Sequence, residues 1–189
     1  MALLDELHKK ILACTECPLH QGRKQAVPGE GRSDADIMFV GEGPGAEEDE
    51  QGRPFVGRSG QLLNQMLSQV GFDRNQVFIG NIVKCRPPEN RNPNPDEAAA
   101  CRHWLQAQIA LIRPKVIVLL GRVSLEAFFG TRYALGRVIG QFIRFQGQLF
   151  FVTWHPSYIL RAQKNKSEYL KHFKKLRSLA DKNFELPEG

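Results

Sequence analysis

A chain of 189 residues is long enough to bury a substantial core and short enough to form one domain over residues 1–189. Its composition, 42% hydrophobic and 24% charged, is ordinary for a globular protein, and no apolar run is long enough to cross a bilayer. The net charge of +6 suits a polyanionic partner without requiring one.

The opening segment MALLDELHKKILACTEC carries Asp5, Glu6 and lysines inside its apolar stretch, so it reads as an amphipathic helix and not a signal peptide. A cytoplasmic location is expected, where thiols stay reduced and metal ligation is favoured over disulfides. Cys14 and Cys17 form a C-x2-C pair, and Cys85 and Cys101 are the only other cysteines. Thiols that meet in space hold a metal ion or an iron–sulfur cluster, and spacing does not choose between zinc and iron–sulfur. Either way the fold must bring the N-terminal segment to the middle of the chain.

Four short apolar runs read as strands: Ile37–Val40, Val77–Ile82, Val116–Leu120 and Leu149–Thr153. Between them GQLLNQMLSQVG is a helix that stops at Gly71. The stretch NPDEAAACRHWLQAQIALIRP is another, with Asn94 as N-cap, Pro95 in the first turn and a stop before Pro114. SLEAFFG is a short third helix, and Phe142–Phe145 with Gln146-Gly147 suggests a hairpin arm at the sheet edge. SEYLKHFKKLRSLA closes the chain as a basic helix with Tyr169, Leu170, Phe173 and Leu176 as its apolar stripe. Alternating strands and helices predict an α/β fold, a three-layer α/β/α sandwich on a central, mainly parallel four-stranded sheet.

The strand ends carry the chemistry. The first runs into Gly41-Glu42-Gly43-Pro44-Gly45, the second ends on Asn81, the third on Gly121-Arg122 and the fourth on Trp154-His155-Pro156-Ser157. Ligands bind outside the carboxyl ends of an open parallel sheet, so these loops predict one site. The first loop formally fits a dinucleotide fingerprint. Pro44 lacks an N–H for a phosphate, however, and the acidic run 47–50 repels one. A loop without bulky side chains also lets backbone N–H groups approach a flat ligand. Phe55, between Gly52 and Gly57, is placed to stack on a base.

The set GEGPGAEED (41–49), GRPFVG (52–57), GNIVKCRPP (80–88) and HPSYIL (155–160), with this cysteine spacing, resembles the family 4 uracil-DNA glycosylases. The resemblance implies an enzyme that flips uracil out of DNA and hydrolyses its N-glycosidic bond, with a [4Fe–4S] cluster on Cys14, Cys17, Cys85 and Cys101. It implies substrate contacts from Glu42, Gly43, Phe55, Asn81, Asn90 and His155. His155 is implied as the catalytic donor to the departing base, with Glu48 or Glu42 handling the sugar cation and water. It also implies DNA contacts from Pro156, Ser157, Tyr158, Ile159 and Arg161. Better-known uracil glycosylases have an Asp where this chain has Gly43, an absence that family 4 shares. The partner is then uracil-containing DNA, single- or double-stranded, with the protein a monomer away from any membrane; the sequence leaves a sliding-clamp contact open.

Overall fold

The computed structural model describes residues 2–186. A six-stranded sheet has the order β1-β3-β2-β4-β6-β5, with β1 Glu30–Gly31, β2 Ile37–Gly41, β3 Phe78–Asn81, β4 Val116–Leu120, β5 Phe142–Phe145 and β6 Gln148–Thr153. The four predicted strands are its parallel centre, and β1 and β5 add antiparallel edges, so the expected four-stranded sheet is corrected to six. The β5–β6 arm is the predicted hairpin, and β1 is too short to leave a hydrophobic alternation in sequence.

The helices are α1 Ala2–Ala13, α2 Leu19–Gly22, α3 Ala46–Gln51, α4 Arg58–Gln69, α5 Pro95–Ile112, α6 Arg122–Phe129, α7 Leu135–Val138, α8 Pro156–Arg161 and α9 Lys166–Asp181. Alternate strand residues face opposite layers, as a period of two dictates. Met38, Val40, Ile117, Leu119 and Val152 pack with α1, α5 and α6. Ile37, Phe39, Val116, Val118 and Phe151 pack with α4, α8 and α9. Every residue of β2, β3 and β4 is buried, as expected of strands covered on both faces. In α9 the buried stripe is Tyr169, Phe173, Leu176 and Leu179 with His172; Leu170 lies only partly buried at its margin.

The start of α5 shows how local chemistry fixes an element. Glu97 accepts the Asn94 N–H at 2.7 Å and takes both Arg91 guanidinium nitrogens at 2.7 and 2.8 Å. That reciprocal arrangement satisfies a free helix-end donor and anchors the loop after β3. No helix among the described residues is long and apolar enough to cross a membrane.

The topology sets the site. From β2 the chain crosses to β3 on one side, then returns to β4 on the other. The strand ends of β2 and β4 therefore diverge and leave a crevice. Phe173 stacks on Phe39 of β2 with ring centroids 6.1 Å apart and holds α9 to the sheet. Phe173→Ala is expected to lower the unfolding free energy by about 3–5 kcal/mol, read from the urea midpoint.

Candidate active site

The crevice opens into a cleft of about 810 Å³ bounded by the loops after β2, β3, β4 and β6. Glu42, Gly43, Glu48, Phe55, Asn81, Asn90, His155, Ser157, Tyr158 and Arg161 all line it. A second groove of about 580 Å³, between α5, α6 and the β5–β6 arm, is lined mainly by apolar side chains and lies away from these residues.

Gly41 gives the cleft its floor. A Cβ there would lie 2.5 Å from both Asn81 Oδ1 and Phe55 Cζ, so the carboxamide and the ring reach the strand end only because the position is glycine. Asn81 is 1% exposed, and its Oδ1 has no hydrogen-bond partner among the described residues. A buried acceptor left unpaired is costly, and in a cleft it marks where a ligand donor belongs.

Phe55 holds a positive φ of 51°, a strained conformation for a bulky residue. Two clamps maintain it. Glu48 accepts from Val56 N and Gly57 N at 2.9 Å each, and from Gly45 N at 3.1 Å, tying the β2 loop to the Phe55 loop. On the other side Arg74 donates to Phe55 O at 3.2 Å and to Asn64 Oδ1 at 2.8 Å, and also binds Pro54 O.

His155 follows β6 by two residues and caps α8. Its Nδ1 accepts the Ser157 N–H at 3.2 Å and faces Ser157 Oγ at 2.8 Å. A ring nitrogen that accepts an N–H carries no proton, so the neutral ring has its hydrogen on Nε2. Burial pulls the imidazole down to about 4, reinforced by Arg161 and opposed by Glu48, which keeps it neutral near pH 7. Its ring centroid lies 5.7 Å from that of Phe55.

The remaining predicted positions sort by exposure. The Glu42 carboxylate makes no hydrogen bond or ion pair to the described residues, and burial raises its pKa against the pull of Arg122. Asn90 is exposed at the cleft lip, where Arg86 Nε donates to its Oδ1 at 2.8 Å. A Cβ on Gly43 would meet Val83 Cγ2 at 2.8 Å, so an Asp does not fit there without displacing a buried side chain. Arg161 is exposed, and Tyr158 is 39% exposed with its hydroxyl accepting from Asn165 Nδ2 at 3.0 Å. Ile159 and Pro156, expected at a DNA surface, are instead buried: residues three apart on α8 share its inner face. Ser157 is committed to His155.

Away from the cleft, Cys14, Cys17, Cys85 and Cys101 line one small void together with Lys84 and Trp104. Among the described residues no three His, Cys, Asp or Glu side chains are gathered to hold a single metal ion. The donors around the sulfurs suit an all-thiolate centre. Arg23 Nη1 donates to Cys85 at 2.9 Å, the Lys84 N–H to Cys101 at 3.3 Å and Trp104 Nε1 to Cys14 at 3.3 Å. Such bonds favour thiolate over thiol and tune a cluster held by it. Burial pushes the free Cys101 thiol up to about 11, opposed by Lys84, so loading a centre there releases protons. Sequence reasoning missed Lys84 itself, which burial pulls down to about 8 against the opposing pull of Cys101. Nothing in a lone lysine between strand and cysteine signals its burial.

The sequence pattern of the Uracil DNA glycosylase superfamily matches residues 28–177. The chain is 49% identical over 165 residues to the type-4 uracil-DNA glycosylase of Thermotoga maritima, covering 86% of each. It is 46% identical over 178 residues to the type-4 uracil-DNA glycosylase of Pyrobaculum aerophilum, covering 89% of this chain and 90% of that one. A type-5 uracil-DNA glycosylase of Thermus thermophilus is 33% identical over 157 residues, covering 65% and 71%. The matched span contains every strand and every cleft residue named above, and by it the chain belongs to the uracil-DNA glycosylase superfamily, in its type-4 branch.

Proposed function

We propose that the cleft extrudes uracil from DNA and hydrolyses its bond to deoxyribose, releasing free uracil and an abasic site for base excision repair. The observation that carries this reading is the unpaired, buried Asn81 Oδ1 facing a cleft that also holds Phe55 and His155. A base inside a duplex is shielded at its sugar, so the nucleotide leaves the stack first. Phe55, held in place from both sides, stacks on the extruded ring. Asn81 Oδ1 accepts uracil N3–H while its amide donates to O4. Cytosine presents the opposite pattern and leaves buried groups unpaired, which makes the discrimination strong.

As the glycosidic bond breaks, negative charge gathers on uracil O2. The Nε2–H of neutral His155 stabilises it without needing to lose a proton. Glu42, whose carboxylate has no partner among the described residues, holds the attacking water and balances the cationic sugar. Glu48, whose carboxylate already takes three backbone N–H groups, acts by fixing the loops and adds a negative field. Arg161 and Arg122 at the rim meet phosphates, so affinity falls with salt. Tyr158, the exposed aromatic side chain of α8, fills the gap left by the base. Gly43 and Asn90 line the base and its approach.

The four cysteines hold a [4Fe–4S] cluster in this reading, supported by their common void and the donors on their sulfurs. When bound it supplies a rigid cross-link between the N-terminal segment, the exit of β3 and α5. Glycosidic hydrolysis itself moves no electrons. Analysis of purified protein for iron and sulfide separates this centre from zinc.

The deciding test is a single-stranded oligonucleotide with one uracil, incubated with protein and cleaved with alkali, against a thymine control. A cut at uracil alone is expected; bound DNA with no cut overturns the reading. Asn81→Ala is expected to lower kcat/KM roughly 10–100-fold by stranding the base's polar edge. His155→Ala is expected to lower single-turnover excision about 10²–10³-fold. With the His155 pKa at about 4, its contribution stays intact from pH 8 down to pH 5 and is lost only as pH falls through 4. A titration of excision rate near pH 6.5 that vanishes in His155→Ala contradicts the neutral-histidine assignment. Glu42→Gln should slow single-turnover excision with little change in KM, whereas Glu48→Gln should raise KM by loosening both loops.

A further inference from the structure

Lys84 is 1% exposed, yet its ammonium has only neutral acceptors: Asn81 O at 3.0 Å and Gln108 Oε1 at 2.6 Å. No carboxylate among the described residues lies within ion-pair reach of it. Gln108 is itself fully buried, committed through Nε2 to Pro28 O at 2.7 Å and facing His8 Nε2 at 3.2 Å. An unpaired cation withdrawn from water is heavily disfavoured, so a lysine here calls for a negative partner. Lys84 lines the same small void as Cys14, Cys17, Cys85 and Cys101. The Lys84 N–H donates to Cys101 Sγ, its carbonyl accepts from Val27 N at 2.7 Å, and the next residue is Cys85.

We propose that Lys84 is a positioning residue joining the cysteine centre to the base-reading strand end. Its ammonium is the buried counter-charge of the four thiolates, and the same ammonium clamps the Asn81 carbonyl, fixing the peptide that carries the uracil-reading carboxamide. The proposal rests on the cluster reading above. A centre of four thiolates around a [4Fe–4S] core carries net negative charge, and in a dry interior a single nearby cation offsets much of it. The two duties are separable. The charge acts on the centre, and the hydrogen bond acts on Asn81.

The test uses the intact, loaded protein. Iron and sulfide are measured first, then iron release to a chelator and single-turnover excision, with KM, for Lys84→Met, Lys84→Gln and Gln108→Glu. Lys84→Met removes charge and donor. Lys84→Gln removes the charge and keeps a donor for Asn81 O. Gln108→Glu gives the ammonium a carboxylate of its own and so draws it from the thiolates while keeping the site paired. All three are expected to release iron about tenfold faster or more than the parent. Excision is expected to fall in Lys84→Met, through kcat more than KM, and to recover in Lys84→Gln. If Lys84→Met does not fold, Gln108→Glu decides the charge and Lys84→Gln the clamp. Iron release at the parental rate in every folded variant overturns the counter-charge, and unchanged kcat in Lys84→Met overturns the clamp. A parent protein without iron and sulfide overturns the cluster reading and this proposal with it; a loaded parent with unaffected variants overturns this proposal alone.

Discussion

The carboxylate of Glu48 is the interaction on which the cleft depends. Two glycine-rich loops leave the sheet on its carboxyl edge, and such loops carry few side chains with which to hold themselves. One carboxylate accepts from Gly45, Val56 and Gly57 and makes the two loops a single wall. Phe55 stands on that wall with positive φ, and Arg74 grips it from behind. A conformation costing about 1–3 kcal/mol persists only when its surroundings over-determine it, and here they do so from two sides. The Phe55 ring is therefore held at the cleft wall in advance of any ligand, as its proposed stacking role requires.

A second tie runs under the sheet edge. Asn81, Lys84 and Cys85 lie within five residues, and the polar chain from Asn81 through Lys84 to Gln108 reaches α1 by way of His8. The polar floor of the cleft and the void lined by the four cysteines are thus two ends of one turn. Along it the interior is polar where an α/β sandwich is usually apolar, and each group has a named partner except Asn81 Oδ1. That exception is the acceptor to which the proposed function assigns the substrate's N–H.

Much of this was legible in the sequence because it obeys short-range rules. Apolar runs gave β2, β3, β4 and β6, and Asn94-Pro95 with Glu97 marked the start of α5. The strand ends pointed to the cleft because topology places them on one edge. What stayed hidden depends on tertiary distance. A two-residue edge strand has no pattern, the role of Glu48 requires knowing that residues 56 and 57 return to it, and the burial of Lys84 follows from packing alone. The inward turn of Ile159 was available from the outset, since Pro156 and Ile159 share a helical face once His155 is taken as a cap.

Gly43 carries a consequence for how such a site can change. A first side-chain atom there would sit 2.8 Å from Val83 Cγ2, and Val83 is itself pinned, its N–H bound to Glu42 O at 3.1 Å. An aspartate at this position therefore requires the buried Val83 side chain to turn aside or to be replaced by a smaller one. The two positions are therefore coupled: what a side chain at 43 costs depends on which side chain stands at 83.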